Sequence, residues 1–189
     1  MKTMPVVKAI ILRTIFLLTL IVFVSSCKKN NLVESSIKNE AFAKNEKEEI
    51  EAFFFIATAN VSQTIISKSQ IAQQKSSDST LQEVSKRIEI QQNQLLQEVT
   101  KLANKKLIII TEINSTHKRA LYDLIDADEI SFNQTYLNSI QESLHEEINL
   151  LESISKETND QTILKLVLQY LPEQYQFLRE TEKIKKIII

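Results

Sequence analysis

Residues 105–114 read Lys-Lys-Leu-Ile-Ile-Ile-Thr-Glu-Ile-Asn (KKLIIITEIN), and the fold turns on how this stretch is interpreted. It is rich in β-branched residues and extended in character. A lone strand has no mate elsewhere in the chain, where apolar residues recur at helical spacing. The segment therefore reads as a crossover running along packed helices, with Ile108 to Ile110 tucked against them.

The helices on either side follow from periodicity. Upstream, a helix is expected over about 79–104, because Leu81, Val84, Ile88, Leu95, Val99 and Leu102 fall at alternating three- and four-residue steps. Asp78 or Ser79 is its N-cap. Before it, a helix over about 46–75 carries Phe53, Phe54, Ile56, Val61, Ile65 and Ala72 on a broad apolar side. Downstream, Asn114 or Ser115 caps a short helix over 116–127, with Ala120, Leu121, Leu124 and Ile125 inward. Two further long helices are expected over about 128–157 and 160–186. Their stripes run through Phe132, Tyr136, Ile140, Leu144, Ile148 and Leu151, then Ile163, Val167, Leu171, Gln174, Phe177 and Ile184. Pro172 removes one backbone bond from the last helix. Asp128 caps the helix it precedes, and Glu129 suits the dipole there.

Composition agrees with helices. The 189 residues contain no glycine, no tryptophan, two prolines and one cysteine. Without glycine, tight hairpin turns are disfavoured, and Asn104, Asn114 and Asn159 stand where helix ends are expected. The fold class is all-α. Four long helices, with one long connection containing a short helix between the second and third, match a ferritin-like four-helix bundle.

The N-terminus reads as an export signal. Lys2, Lys8 and Arg13 precede an apolar run from Thr14 to Val24 that is too short to span a bilayer comfortably. Val24, Ser25, Ser26 and Cys27 then resemble a lipobox, whose cysteine thiol becomes lipidated. Residues 1–26 are the signal peptide, 27–45 a polar flexible tether, 46–186 the helical domain, and 187–189 an apolar end. Such a protein is held on a membrane through lipid on Cys27, and the expected location is the bacterial cell envelope, at the outer membrane facing the periplasm. Without Lys2, Lys8 and Arg13 the balance is 20 basic to 24 acidic residues, which argues against a nucleic-acid partner. The basic and apolar end at 183–189 (KIKKIII) either touches a membrane or another chain, or docks on its own bundle.

Three groups of residues bear on a site. Gln91 and Gln92 interrupt the apolar stripe between Ile88 and Leu95, so two amides face the core and form a candidate polar pocket. Glu142 and His145 spell Glu-x-x-His, a pattern of ferritin-like metal centres. There is no second motif, and the pair groups with Asn138, Asn149 and Glu152 on a polar side. His117 falls in the first turn of the short helix, where solvent is expected. No glycine-based phosphate loop exists in a chain without glycine, and neither histidine has a visible orienting partner. No catalytic residue, metal or cofactor is implied.

The chain also resembles a known family. Ile71-Ala72-Gln73-Gln74-Lys75, Leu102-Ala103-Asn104-Lys105-Lys106, Phe132 with Tyr136-Leu137, Leu150-Leu151-Glu152 and Leu171-Pro172 follow its order and spacing. It is the domain-of-unknown-function family four-one-four-two, found in bacterial exported proteins often described as predicted outer-membrane proteins. The resemblance covers roughly residues 52–184 and implies a ferritin-like fold. Members commonly carry histidines at positions that Gln92, Leu144 and Phe177 occupy here, which implies a reduced polar pocket. The expected function is a lipid-anchored envelope module that binds or supports an unidentified partner. The alternatives are a ferritin-like metal protein, acting as oxidase or store, and an envelope stress-response factor.

Overall fold

The computed structural model describes the backbone of residues 32–110 and 112–188, with side chains from Asn45 onward. Residues 1–31, with Cys27 and the lipobox, lie outside the described residues. Among the described residues there are five helices and no strand: α1 (Leu32–Lys75), α2 (Ser79–Lys105), α3 (Ser115–Asp126), α4 (Phe132–Glu157) and α5 (Gln161–Ile188). The chain divides into two compact units at Ala43/Lys44, and the second holds the greater part of α1 together with α2 to α5.

Helical backbone begins at Leu32, earlier than the start expected near Glu46. The Val, Ile and Ala residues of 32–45 lack a clear stripe, which is why periodicity missed this start. Asn45–Lys75 is the one described stretch long and apolar enough to cross a membrane, but 56% of its apolar window is buried inside the domain. It reads as a core helix.

Cross-helix hydrogen bonds fix the directions. Glu51, Ser62 and Lys68 of α1, and Ser76 just after it, meet Thr158, Glu147, Ser143 and Asn133 in descending order, so α1 and α4 are antiparallel. Arg87, Gln91 and Gln92 of α2 meet Glu180, Glu173 and Gln174 of α5, and Glu98 meets Tyr170, so these two are also antiparallel. Ser85 and Gln92 of α2 meet Tyr136 and Glu147 of α4 in ascending order, so α2 and α4 are parallel. The long connection between them is what a parallel pair needs.

Two apolar clusters fill the interior. One gathers Ile65, Leu81, Ile88, Phe132, Tyr136, Ile140 and Leu144, with Leu124 of α3 added to it. The other holds Phe54, Phe55, Leu95, Val99, Leu151, Ile163 and Tyr170. Truncating such a side chain to Ala costs roughly 2–5 kcal/mol.

The crossover behaves differently from the expectation in detail. Ile108 and Ile110 pack against the second cluster, whereas Leu107 and Ile109 face solvent. An extended segment turns alternate side chains outward. Leu107 takes a left-handed conformation (φ 59°). Its N–H donates to the Asn104 carbonyl (3.1 Å), and the Ile108 N–H donates to the Ala103 carbonyl (2.9 Å). These two bonds define a Schellman end to α2 with leucine where glycine is usual.

Caps set the other boundaries. Asp78 accepts from the Leu81 N–H (2.9 Å) and Asn114 from the His117 N–H (2.9 Å). Asp128 does not start α4. Its carboxylate accepts both the N–H and the hydroxyl of Ser131 at 2.7 Å, closing a turn that delays the helix to Phe132. Ile125, expected inward, is half-exposed on α3. Lys75 Nζ closes the end of α3 by donating to the Ile125 (2.6 Å) and Ala127 (2.9 Å) carbonyls. Lys106 Nζ ties the opposite end, 2.7 Å from Glu51 and 2.8 Å from Asp160.

Candidate functional site

Gln91 and Gln92 sit where the interrupted stripe placed them, in the core, and they belong to a larger polar chain. Gln92 is fully buried. Its Nε2 donates to Glu147 Oε2 (2.5 Å) and to Gln174 Oε1 (3.0 Å). Gln174 Nε2 donates to Gln91 Oε1 (3.0 Å), and Gln91 Nε2 donates to Glu173 Oε2 (2.9 Å). Ser62 Oγ supplies the second bond to Glu147, at 2.7 Å. A line of amides thus links a buried carboxyl to a surface carboxylate through α2 and α5.

Glu147 is the residue that periodicity missed. It is wholly buried, and burial pushes its carboxyl up to about 7 despite bonds from Ser62 and Gln92 that favour the anion. The signal was present: Ile140, Leu144, Glu147, Leu151 and Ile154 step by alternating fours and threes. Choosing Ile148 for the stripe hid it, and Ile148 is buried as well. Ser62 and Ser69 lie on the buried stripe of α1 in the same way.

The network is not saturated. Gln92 Oε1 is buried and has no hydrogen-bond partner, which is unusual for a buried amide. Gln92, Leu144 and Phe177 lie near one level, because Gln92 bonds Glu147, one turn from Leu144, and Gln174, one turn from Phe177. Leu144 and Phe177 are themselves in the same apolar cluster.

A second buried charge lies nearby. Lys68 Nζ donates to the Ser139 carbonyl (2.9 Å) and Ser143 Oγ (2.8 Å). Burial lowers its ammonium to about 8, against the pull of Glu142 and Glu146. Tyr136 and Ser85 hydroxyls bond at 2.8 Å, and burial raises the phenol to about 12.

Glu142 and His145 lie on the outside of α4, as their polar side implied, and line a groove instead of the core. The groove runs between α1 and α4 with a volume of about 860 Å³. Ile50, Phe53, Phe54, Leu150 and Ile154 form its floor. Phe53, placed on the apolar side of α1, is 66% exposed there. Glu46, Glu49, Glu142, Glu146 and Glu157 also line the groove. Among the described residues no group of three or more His, Cys, Asp or Glu is placed to hold a metal ion. His117 departs from expectation: its side chain is only 12% exposed, with Nε2 3.3 Å from Glu146.

A family model described as "Domain of unknown function (DUF4142)" matches residues 37–184. The chain belongs to this family. No curated protein matches the chain, and no solved structure matches it. The DUF4142 match covers α2, α3, α4, the crossover and most of α1 and α5, so the polar chain and the groove both lie within the family domain.

Proposed function

We propose that this DUF4142 protein is a lipid-anchored component of the cell envelope whose helical domain is a binding module. The anchor is lipid on Cys27, and the domain then sits at the outer membrane facing the periplasm. The antiparallel α1/α4 and α2/α5 pairs, with α2 parallel to α4, support a ferritin-like up-down-down-up four-helix bundle.

The observation that carries binding is the α1/α4 groove. Soluble domains rarely leave an aromatic such as Phe53 largely exposed beside further apolar surface without a use for it. The Gln92–Glu147 chain in the interior supports the opposite face of the same two helices: Ser62 and Glu147 cross-link α1 to α4 and hold the groove walls in register.

Metabolic labelling with a palmitate analogue, followed by fractionation, tests the anchor. Wild-type protein is expected to take up label and sediment with membranes. Cys27→Ser is expected to lose both. A Cys27→Ser variant that sediments and labels like the wild type contradicts the anchor.

A further inference from the structure

We propose that the α1/α4 groove receives a cationic amphipathic helix of a partner protein; this rests on reading the domain as a binding module.

The shape argues for a helix. Its α4 lining spans 142–157 and its α1 lining 46–54, which at 1.5 Å per residue are roughly 23 and 12 Å, room for two to four helical turns. Apolar side chains of two antiparallel helices, Ile50, Phe53 and Phe54 of α1 and Leu150 and Ile154 of α4, line it, a surface on which an amphipathic helix lays its apolar face. Phe53 stands as the anchor, since exposed aromatics of this kind dominate binding energetics.

The charge argues for a cationic partner. Five glutamates line the groove, and no lysine or arginine does among the described residues. One ammonium and one imidazole lie behind Glu142 and Glu146. Lys68 of α1 acts on Glu142 and Glu146 from within the domain, and His117 of α3 lies against Glu146. Glu46, Glu49 and Glu157 add three further carboxylates to the lining, so the groove presents a negative field that attracts basic helices and rejects acidic ones.

Other occupants fit less well. Anionic lipid headgroups are repelled by the same rim. The chain's own basic end at 183–188 is committed elsewhere, because Ile184 is buried and Ile188 packs against the first apolar cluster. Among the described apolar residues of that end only Ile187 is exposed, which offers a second copy little apolar surface.

The test uses the full lipidated chain in zwitterionic nanodiscs, with empty discs as the blank. Fluorescence anisotropy follows a labelled Lys/Leu amphipathic helix, its Glu/Leu counterpart of identical pattern, and a scrambled Lys/Leu peptide. The Lys/Leu helix is expected to bind best and to weaken ~10-fold from low to high salt. Phe53→Ser is expected to weaken it ~10-fold or more. Glu49→Lys with Glu142→Lys, both exposed positions, is expected to reject it and to gain the Glu/Leu helix. Equal binding of all three peptides, or no response to the charge reversal, overturns the proposal. So does a concentration-dependent dimer in light scattering that protects Phe53. The neutral dye Nile red separates the two readings. If no peptide binds but Phe53→Ser expels the dye, the partner chemistry is wrong and the binding module stands. If Phe53→Ser changes neither dye nor peptide, both fall.

Discussion

Gln92 Nε2 lies 2.5 Å from Glu147 Oε2 in the middle of the domain, while the other end of the same amide, Oε1, has no partner. The amide thus donates to a group that is itself poised between carboxylate and carboxylic acid, because burial raises Glu147 to about 7.

Stability should therefore depend on Glu147 in a defined direction. Between about 4.5, the ordinary value, and about 7 the folded state holds a proton that the unfolded chain has lost. Stability from this group is fully present below that window and is lost as pH rises through it, by roughly 3 kcal/mol. Glu147→Gln removes the loss, because an amide at this position does not ionise. Urea midpoints near about pH 5 and about pH 8 should then move together, with the variant the more stable of the two proteins at the higher pH. An unchanged pH dependence contradicts the assignment to Glu147. Lys68, lowered to about 8, shifts stability only above this range.

Gln92→Leu leaves Glu147 Oε2 and Gln174 Oε1 without their donor. A cost of about 2–3 kcal/mol is expected. Adding Glu147→Leu should recover part of it, since an apolar pair strands fewer polar atoms. Strict additivity in the double-mutant cycle counts against the network.

Much of this was legible from the chain. The four long stripes located the helices, and the Gln91–Gln92 interruption located the polar core before any partner was known. Glu147 was harder to see because two residues, Glu147 and Ile148, compete for one stripe position and both are buried. The helical start at Leu32 and the turn at Asp128 were missed for different reasons. The first lacks a clear stripe, and the second depends on a three-residue hydrogen bond that no periodicity reports. The groove could not be read at all: Phe53 and Phe54 are neighbours in sequence, yet one is mostly exposed and the other buried.

Leu107 offers a stability gain. Its left-handed backbone costs a Cβ-bearing residue roughly 1 kcal/mol, and its side chain is 91% exposed. Leu107→Gly is expected to raise stability by up to about 1 kcal/mol, with Leu107→Asn intermediate. Chemical denaturation checks it. A destabilised glycine variant means that the leucine side chain contributes more than the strain costs.

Lys106 ties the start of α5 and the body of α1 to the end of α2 through Asp160 and Glu51. Burial opposes its charge, but the bonds to Asp160 and Glu51 hold its pKa above the usual lysine value. Because it is partly solvated, Lys106→Met should cost no more than about 1 kcal/mol and the difference should shrink in high salt. A larger, salt-independent loss would mean that the stem, not the charge, holds this end.

The most direct check on the groove as a binding surface is an amide chemical-shift map of the isotopically labelled chain in nanodiscs, recorded as the Lys/Leu amphipathic helix is added. Shifts confined to 46–54 and 142–157, saturating together, are expected. Shifts centred on Gln91, Gln92 and Gln174, or spread evenly over the domain, would contradict it.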